Sequence, residues 1–282
     1  MPTLVAACMA TRVSDLSVTM TITLLVIVIL MQSSVNTFND YYDYVKGADS
    51  DQDNVDPSDA VLVYNDIDPK SALRLALLFL AGAFVLGIYA IVKAGIVPLV
   101  IAFVGALFVV LYSAGKSPIS YLPLGEIVSG VVMGGLIPLA VYQVLTGILD
   151  FSVLLLSVPT IIGVGLIMFT NNTCDIERDV PSGRKTLPVL LGRVNSKALY
   201  RLLVIVCIVD IVVNIAVCFT PGLVFVPFML LAAFPFVKAL LSNPLTQELR
   251  RQAMPQILSV NVVLGAFYAT SILAATTTTL VL

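Results

Sequence analysis

Two acidic clusters, Asn39-Asp40-Tyr41-Tyr42-Asp43 and Asp175-Ile176-Glu177-Arg178-Asp179, each directly follow a long apolar run. Asn39 and Asp43 are spaced i,i+4, as are Asp175 and Asp179, so on helices that run on past the apolar segment each pair shares one face. Such a pair can grip a divalent cation. Mg²⁺ prefers octahedral oxygen ligands and is commonly shared between one or two carboxylates and the phosphates of a substrate. Two acidic pairs facing each other therefore predict a Mg²⁺-diphosphate site. The neighbouring cations fit that ligand: Lys46 lies just beyond Asp43, and Arg178, Arg184 and Lys185 surround Asp179. They offer point charges and forked donors to phosphate oxygens. Lys116 lies in a third loop, Tyr112-Ser113-Ala114-Gly115-Lys116-Ser117-Pro118.

The elements that must position these residues are built for lipid. The chain is 59% hydrophobic and 11% charged, with a mean hydropathy of +1.03, against about 25% charged residues in soluble domains. Apolar runs cover 17–38, 72–92, 96–113, 127–149, 151–170, 199–219, 223–241 and 257–282. Most reach the roughly 20 residues that a spanning helix needs. The expected fold is all-α: a polytopic membrane bundle, one domain over 1–282, with about eight complete spans. Pro2 to Ala10 is also apolar but covers about half of a hydrocarbon core at 1.5 Å per residue. It is expected to be the second half of a helix, with an upstream segment lacking.

Counting alternate loops from that half helix, one side receives Lys46, Lys70, Arg74, Lys116, Arg178, Arg184, Lys185, Arg193, Lys197, Arg201, Lys238, Arg250 and Arg251; the other receives Arg12 and Lys93. The positive-inside rule makes the first side cytoplasmic. Both acidic clusters lie with it, so the expected site opens to the cytoplasm from the cytoplasmic membrane. Cys8, Cys174, Cys207 and Cys218 are scattered without ligand-like spacing and are expected to be small membrane residues. No basic aromatic stripe points to nucleic acid. The clusters follow the second and sixth spans, a layout of two four-helix halves with a site at their interface.

Asn39-Asp40-Tyr41-Tyr42-Asp43 with Lys46-Gly47 and Asp49, together with Asn171-Asn172, Asp175, Asp179 and Gly183-Arg184-Lys185-Thr186-Leu187-Pro188, resembles the UbiA superfamily of membrane prenyltransferases. Within it the likeness is greatest to the 1,4-dihydroxy-2-naphthoate polyprenyltransferases, and it includes Pro118-Ile119-Ser120-Tyr121 and Leu124-Gly125-Glu126. The resemblance implies a nine-helix bundle around an apolar cavity, here with a partial first helix. It implies that Asn39, Asp40, Asp43, Asp49, Asp175 and Asp179 hold Mg²⁺ against the diphosphate of a polyprenyl donor, with Asp40, Asp43, Asp175 and Asp179 central to catalysis. Lys46, Tyr112, Ser113, Lys116, Asn171, Asn172, Arg184 and Lys185 are the expected substrate contacts. The implied acceptor is aromatic, 1,4-dihydroxy-2-naphthoate in menaquinone biosynthesis, with 4-hydroxybenzoate the alternative. The family pattern N-D-x-x-D-x-x-x-D would place its last acid at Gly47, for which Asp49 substitutes. Asp59 stands where a basic residue is expected, and the basic residue usual early in the first helix is absent.

Other features have plainer readings. Asp51, Asp53, Asp56 and Asp59 form a solvated loop, and membrane topology accounts for Arg193, Lys197, Lys238, Arg250 and Arg251. Arg184 and Lys185 fit topology and substrate binding equally. Gly130 and Gly134 have the small-xxx-small spacing of helix packing. Asp210, near the middle of a span with Asn214 one turn on, is either a tolerated polar pair or a functional acid. A cation transporter is the rival class, but it would want its acids near the bilayer midplane, where Asp210 alone lies.

Overall fold

The computed structural model describes residues 1–45, 61–64, 67–113, 118–276 and 280–281. Lys46, Asp49, Asp51, Asp53, Asp56, Asp59 and Lys116 lie outside the described residues, and Asp43 and Ser113 enter as helix positions alone.

The short α1 (Pro2–Ala10) is followed by α2 (Val18–Val45), which runs through the first long apolar stretch and carries Asn39–Asp43 on its last turns. The continuous helix predicted for that cluster is present. After a single turn, α3 (Val61–Tyr64), comes α4 (Pro69–Ala94). Its start is fixed by Asp68, whose carboxylate accepts the Lys70 N–H at 3.1 Å, and by proline at the first helical position, where the missing N–H costs nothing. The chain continues through α5 (Val97–Ser113), then α6 (Gly125–Val131), one π-helical stretch (Val132–Leu136) and α7 (Ile137–Thr146), which form one span. The second half holds α8 (Ser152–Leu156), α9 (Val158–Cys174), α10 (Ile176–Asp179), α11 (Leu187–Cys218), α12 (Val226–Ser242) and α13 (Arg250–Ala274).

Among the described residues, six helical stretches are long and apolar enough to cross a membrane, and shorter apolar helices at 97–108 and 158–174 supply the other two predicted spans. The outer faces are apolar: Phe84 and Val92 of α4, Phe103 of α5, and Leu231 and Phe234 of α12 are exposed. An apolar belt of that extent belongs in lipid, where helices satisfy their own backbone groups.

Three predicted boundaries move. The second acidic cluster does not continue its helix: α9 ends at Cys174, Asp175 adopts φ −96° and ψ 12°, and α10 is a separate turn. The pair survives because the Asp179 N–H still bonds to the Asp175 carbonyl at 2.8 Å. The helix predicted from Leu199 starts at Leu187 and breaks at Gly192, whose φ of 71° needs a residue without Cβ. The last helix stops at Ala274, ahead of Thr276–Thr279, β-branched residues with low helix propensity. Leu280–Val281 pairs in parallel with Leu16–Ser17.

Glycines bring α6 and α9 together as the Gly130/Gly134 spacing predicts. A Cβ on Gly134 would fall 2.4 Å from the Thr160 carbonyl oxygen, and one on Gly130 2.6 Å from that of Ile161. The Thr160 hydroxyl donates to the Gly134 carbonyl at 2.6 Å, which satisfies a backbone group beside the π turn. On the other side of α9, Asn261 of α13 donates to the Gly163 carbonyl at 3.0 Å. The main core joins α1, α7, α9, α11 and α13; a smaller one joins α1, α2, α4 and α7.

Candidate active site

An apolar cavity of about 260 Å³ lies where α2, α4 and α5 face α6, α7 and α9. Its lining includes Val28, Gly105, Phe108, Met133, Met168 and Val141, and the polar groups Asn39 and Tyr112 also reach it. Asn39 is therefore at the cavity although it lies at the end of α2, because the cavity extends to the end of the bundle that carries the acidic clusters.

At that end the second cluster is held by protein cations. Asp175 is buried and its Oδ2 lies 3.4 Å from Arg250 Nε. The same guanidinium donates to Asn171 Oδ1, at 3.0 Å from Nε. Asp179, 2% exposed, has its Oδ1 3.7 Å from Arg184 and accepts the Thr186 hydroxyl at 3.3 Å on Oδ2. Arg184 also stacks over Tyr121, 4.8 Å from the ring centroid, and the Lys185 N–H bonds to the Tyr121 carbonyl at 2.8 Å. The loop after α10 is thus fastened to the loop before α6. The Lys185 side chain is exposed.

Burial raises the Asp175 carboxyl to about 7, and repulsion from Asp179 adds to the rise against Arg178 and Arg184. Burial likewise raises Asp179, opposed by Arg184, Thr186 and Arg178 and assisted by Glu126. Two desolvated carboxyls one turn apart, made of hard oxygen donors, suit a hard divalent cation. Among the described residues, no group of three acidic, histidine or cysteine side chains is preassembled. Ligands from α2 and from the substrate would be needed beside Asp175 and Asp179.

The predicted substrate residues Asn171 and Asn172 are both engaged by protein side chains. Asn171 accepts from Arg250, and Asn172 donates to Glu126 Oε1 at 2.8 Å. Tyr112 lines the cavity within the fields of Glu126 and Arg184. Asn39 and Asp40 are half-buried on α2.

Three contributors escaped the sequence reading. Membrane topology alone accounts for Arg250 in the sequence, and nothing in its neighbourhood in the chain marks it out. Topology likewise accounts for Arg193, yet it grips Glu177 through two bonds of 2.8 and 2.6 Å, the Thr173 carbonyl at 2.9 Å and the Leu245 carbonyl. Glu126 had a signal: an acid at the head of an apolar run is costly unless used. Asp210 accepts from Asn214 at 3.2 Å and does not line the cavity, the arrangement of a local polar pair.

A profile of the UbiA prenyltransferase family matches residues 1–263. The chain belongs to this family. It is 36% identical over 169 residues to 1,4-dihydroxy-2-naphthoate octaprenyltransferase of Bacillus subtilis (strain 168), a match covering 60% of this chain and 54% of that protein. This family member thus spans about half the length of that relative. It is 27% identical over 260 residues to UbiA prenyltransferase domain-containing protein 1 of Gallus gallus, covering 89% of this chain and 73% of the other. The fold matches the apo structure of a UbiA homolog from Aeropyrum pernix K1 with a TM-score of 0.69 at 15% identity, over 94% of each chain. It also matches a UbiA homolog from Archaeoglobus fulgidus bound to GPP and Mg²⁺, with a TM-score of 0.58 at 14% identity, over 96% of this chain and 95% of that one. Apolar spans and family together make this an integral membrane protein.

Proposed function

We propose that the chain transfers a polyprenyl group from polyprenyl diphosphate to an aromatic acceptor, with 1,4-dihydroxy-2-naphthoate in menaquinone biosynthesis as the favoured acceptor. The observation that carries this reading is the junction of an apolar cavity with a cluster of buried carboxyls and arginines. A polyprenyl diphosphate has that same division into a long apolar tail and a charged head. The naphthoate acceptor is favoured by the likeness to the Bacillus subtilis octaprenyltransferase.

In this mechanism Asp175 and Asp179 would hold Mg²⁺ at the diphosphate together with Asn39 and Asp40 of α2, and with Asp43 and Asp49 of the same sequence motif. Mg²⁺ held there would supply positive charge to offset the charge developing on the departing diphosphate. Arg184 lies beside Asp179 and Arg250 beside Asp175, so both guanidinium groups can turn donors to phosphate oxygens. Lys46, Lys116 and Lys185 add positive charge around the head group. The cavity holds the tail and excludes water, which would otherwise trap the allylic cation. Tyr112 and Ser113, at the end of α5, border the acceptor. An electron-rich ring carbon then bonds to the allylic carbon as the carbon–oxygen bond to diphosphate breaks. The clusters face the cytoplasm of the cytoplasmic membrane by the distribution of Lys and Arg.

The test is product formation in membranes containing this chain, given labelled geranylgeranyl diphosphate, Mg²⁺ or EDTA, and the naphthoate or 4-hydroxybenzoate. A Mg²⁺-dependent prenylated lipid from the naphthoate is expected, abolished by Asp179→Asn and Asp175→Asn in protein that still inserts in the membrane. Full turnover in both variants would remove the carboxylates from the mechanism. Product from the benzoate alone would change the acceptor, and cation uptake without product would favour a transporter.

A further inference from the structure

Glu126, in the first turn of α6, is 4% exposed and its carboxylate is half-satisfied. Asn172 of α9 donates to Oε1 at 2.8 Å, while Oε2, fully enclosed, accepts no hydrogen bond. The Leu187 N–H at the start of α11 faces the carboxyl without completing a bond to Oε2. Tyr112 of α5 and Asp179 of the acidic cluster both feel its charge, and Arg184 acts on that same Tyr112. A buried carboxylate oxygen without a donor is costly, and the Asn172 amide holds this carboxyl in place through its other oxygen.

Its position says what the missing donor is. Ser129, one turn beyond Glu126 on α6, lines the apolar cavity; so does Met168, one turn before Asn172 on α9, and so does Tyr112. Glu126 is not itself a lining residue of the cavity, but Ser129 and Met168 put it within one helical turn of the cavity wall, and its charge reaches Asp179 of the carboxyl–arginine cluster. The group wanted there has an apolar aromatic body and an acidic O–H.

We infer that Glu126 Oε2 takes the hydroxyl proton of the aromatic acceptor, and that Asn172 is the residue that positions it. This rests on the prenyl-transfer reading above. As the allylic C–O bond breaks, its electron pair leaves with the diphosphate. The O–H electron pair of the acceptor moves into the ring, whose carbon forms the new C–C bond, and the proton passes to Oε2. The substituted ring carbon then gives up a proton to water or its carboxylate as CO₂, and the electron pair of the broken C–H or C–C bond restores aromaticity. Glu126 then returns its proton to the ring oxygen.

Glu126→Gln tests this in the membrane protein, because glutamine keeps an oxygen for Asn172 and puts in place of Oε2 an amide NH2 that cannot accept a proton. Turnover is expected to fall on the order of 100-fold or more at neutral pH, with the KM for the diphosphate donor within about twofold of wild type. The defect should shrink as pH approaches about 10, where a phenolic hydroxyl ionises unaided, and Asn172→Ala should fall between wild type and Glu126→Gln at neutral pH. Turnover within about threefold of wild type, or a loss equal at every pH, overturns the assignment. A misfolded Glu126→Gln protein, judged by size-exclusion chromatography in detergent, would make Glu126 a structural residue and overturn it as well. If the wild-type chain prenylates no aromatic acceptor, the prenyl-transfer reading falls and this role with it; product from wild type beside an unimpaired variant removes this role alone.

Discussion

Arg250, the first residue of α13, reaches Asp175 at the end of α9, with 3.4 Å between Nε and Oδ2. The contact ties the last helix of the chain to the acidic cluster, and the same guanidinium fixes Asn171. The loop ahead of Arg250 is itself held: Leu245, at φ 56°, has its N–H on Asn243 Oδ1 at 2.8 Å and its carbonyl on Arg193.

Arg250→Ala is expected to lower kcat/KM for the diphosphate donor about 10- to 100-fold, since a hydrogen bond made by a charged group contributes about 1.5–3 kcal/mol. Arg250→Lys should recover part of the loss, because a single ammonium cannot serve both Asp175 and Asn171 with the same geometry. Steady-state kinetics with labelled donor decides; an unimpaired alanine variant would make Arg250 a bystander.

Arg193→Ala should destabilise the protein by about 2 kcal/mol, whereas Glu177→Gln should cost less than about 1 kcal/mol. The reason is that Glu177 is largely exposed, its side chain 62% accessible, so solvent weakens the ion pair. The Thr173 and Leu245 carbonyls, by contrast, lose their partner in the protein interior. Thermal unfolding in detergent gives the order; equal losses from both variants would assign the stability to the ion pair.

The Asp175 carboxyl predicts a pH dependence. Its folded value of about 7 lies above the ordinary 3.8, so between these values the folded state retains a proton that the unfolded state has released. Its contribution to stability is present below pH 3.8 and is lost as pH rises through about 7. Metal-free protein should therefore melt at a lower temperature at pH 8 than at pH 5. Added Mg²⁺ should raise the melting temperature more at pH 8, where binding no longer displaces that proton. A Mg²⁺ effect independent of pH, and retained in full by Asp175→Asn, would dissociate Asp175 from the ion.

Gly134→Ala would set a methyl 2.4 Å from the Thr160 carbonyl and 2.5 Å from Ile161 Cα. Backbone atoms cannot yield as a side chain would, so a loss of about 1–3 kcal/mol or more is expected. A methyl on Gly87 meets nothing within 4 Å, and Gly87→Ala should be neutral or slightly stabilising. Melting curves of the two variants that coincide would contradict the close approach of α6 and α9.

The solvent, the spans and the pairing within each acidic cluster are legible in the sequence, because apolar length and i,i+4 spacing are local properties of the chain. Asn39 and Asp43 share a helix as their spacing implies, and Gly130 and Gly134 face α9 as small residues at that interval should. Which distant groups complete the cluster depends on how the helices pack. Arg250 is 75 residues from Asp175 in the chain, and no periodicity links them; their meeting follows from the packing of α13 against α9 and the held turn at Leu245. The break at Asp175 was equally hidden, since Ile176–Asp179 keeps the hydrogen bond of a continuous helix while turning away from it. Glu126 shows the division most clearly. Its letter in an apolar run marked a cost, but the bond to Asn172 and the bare Oε2 depend on two helices brought into contact by glycine.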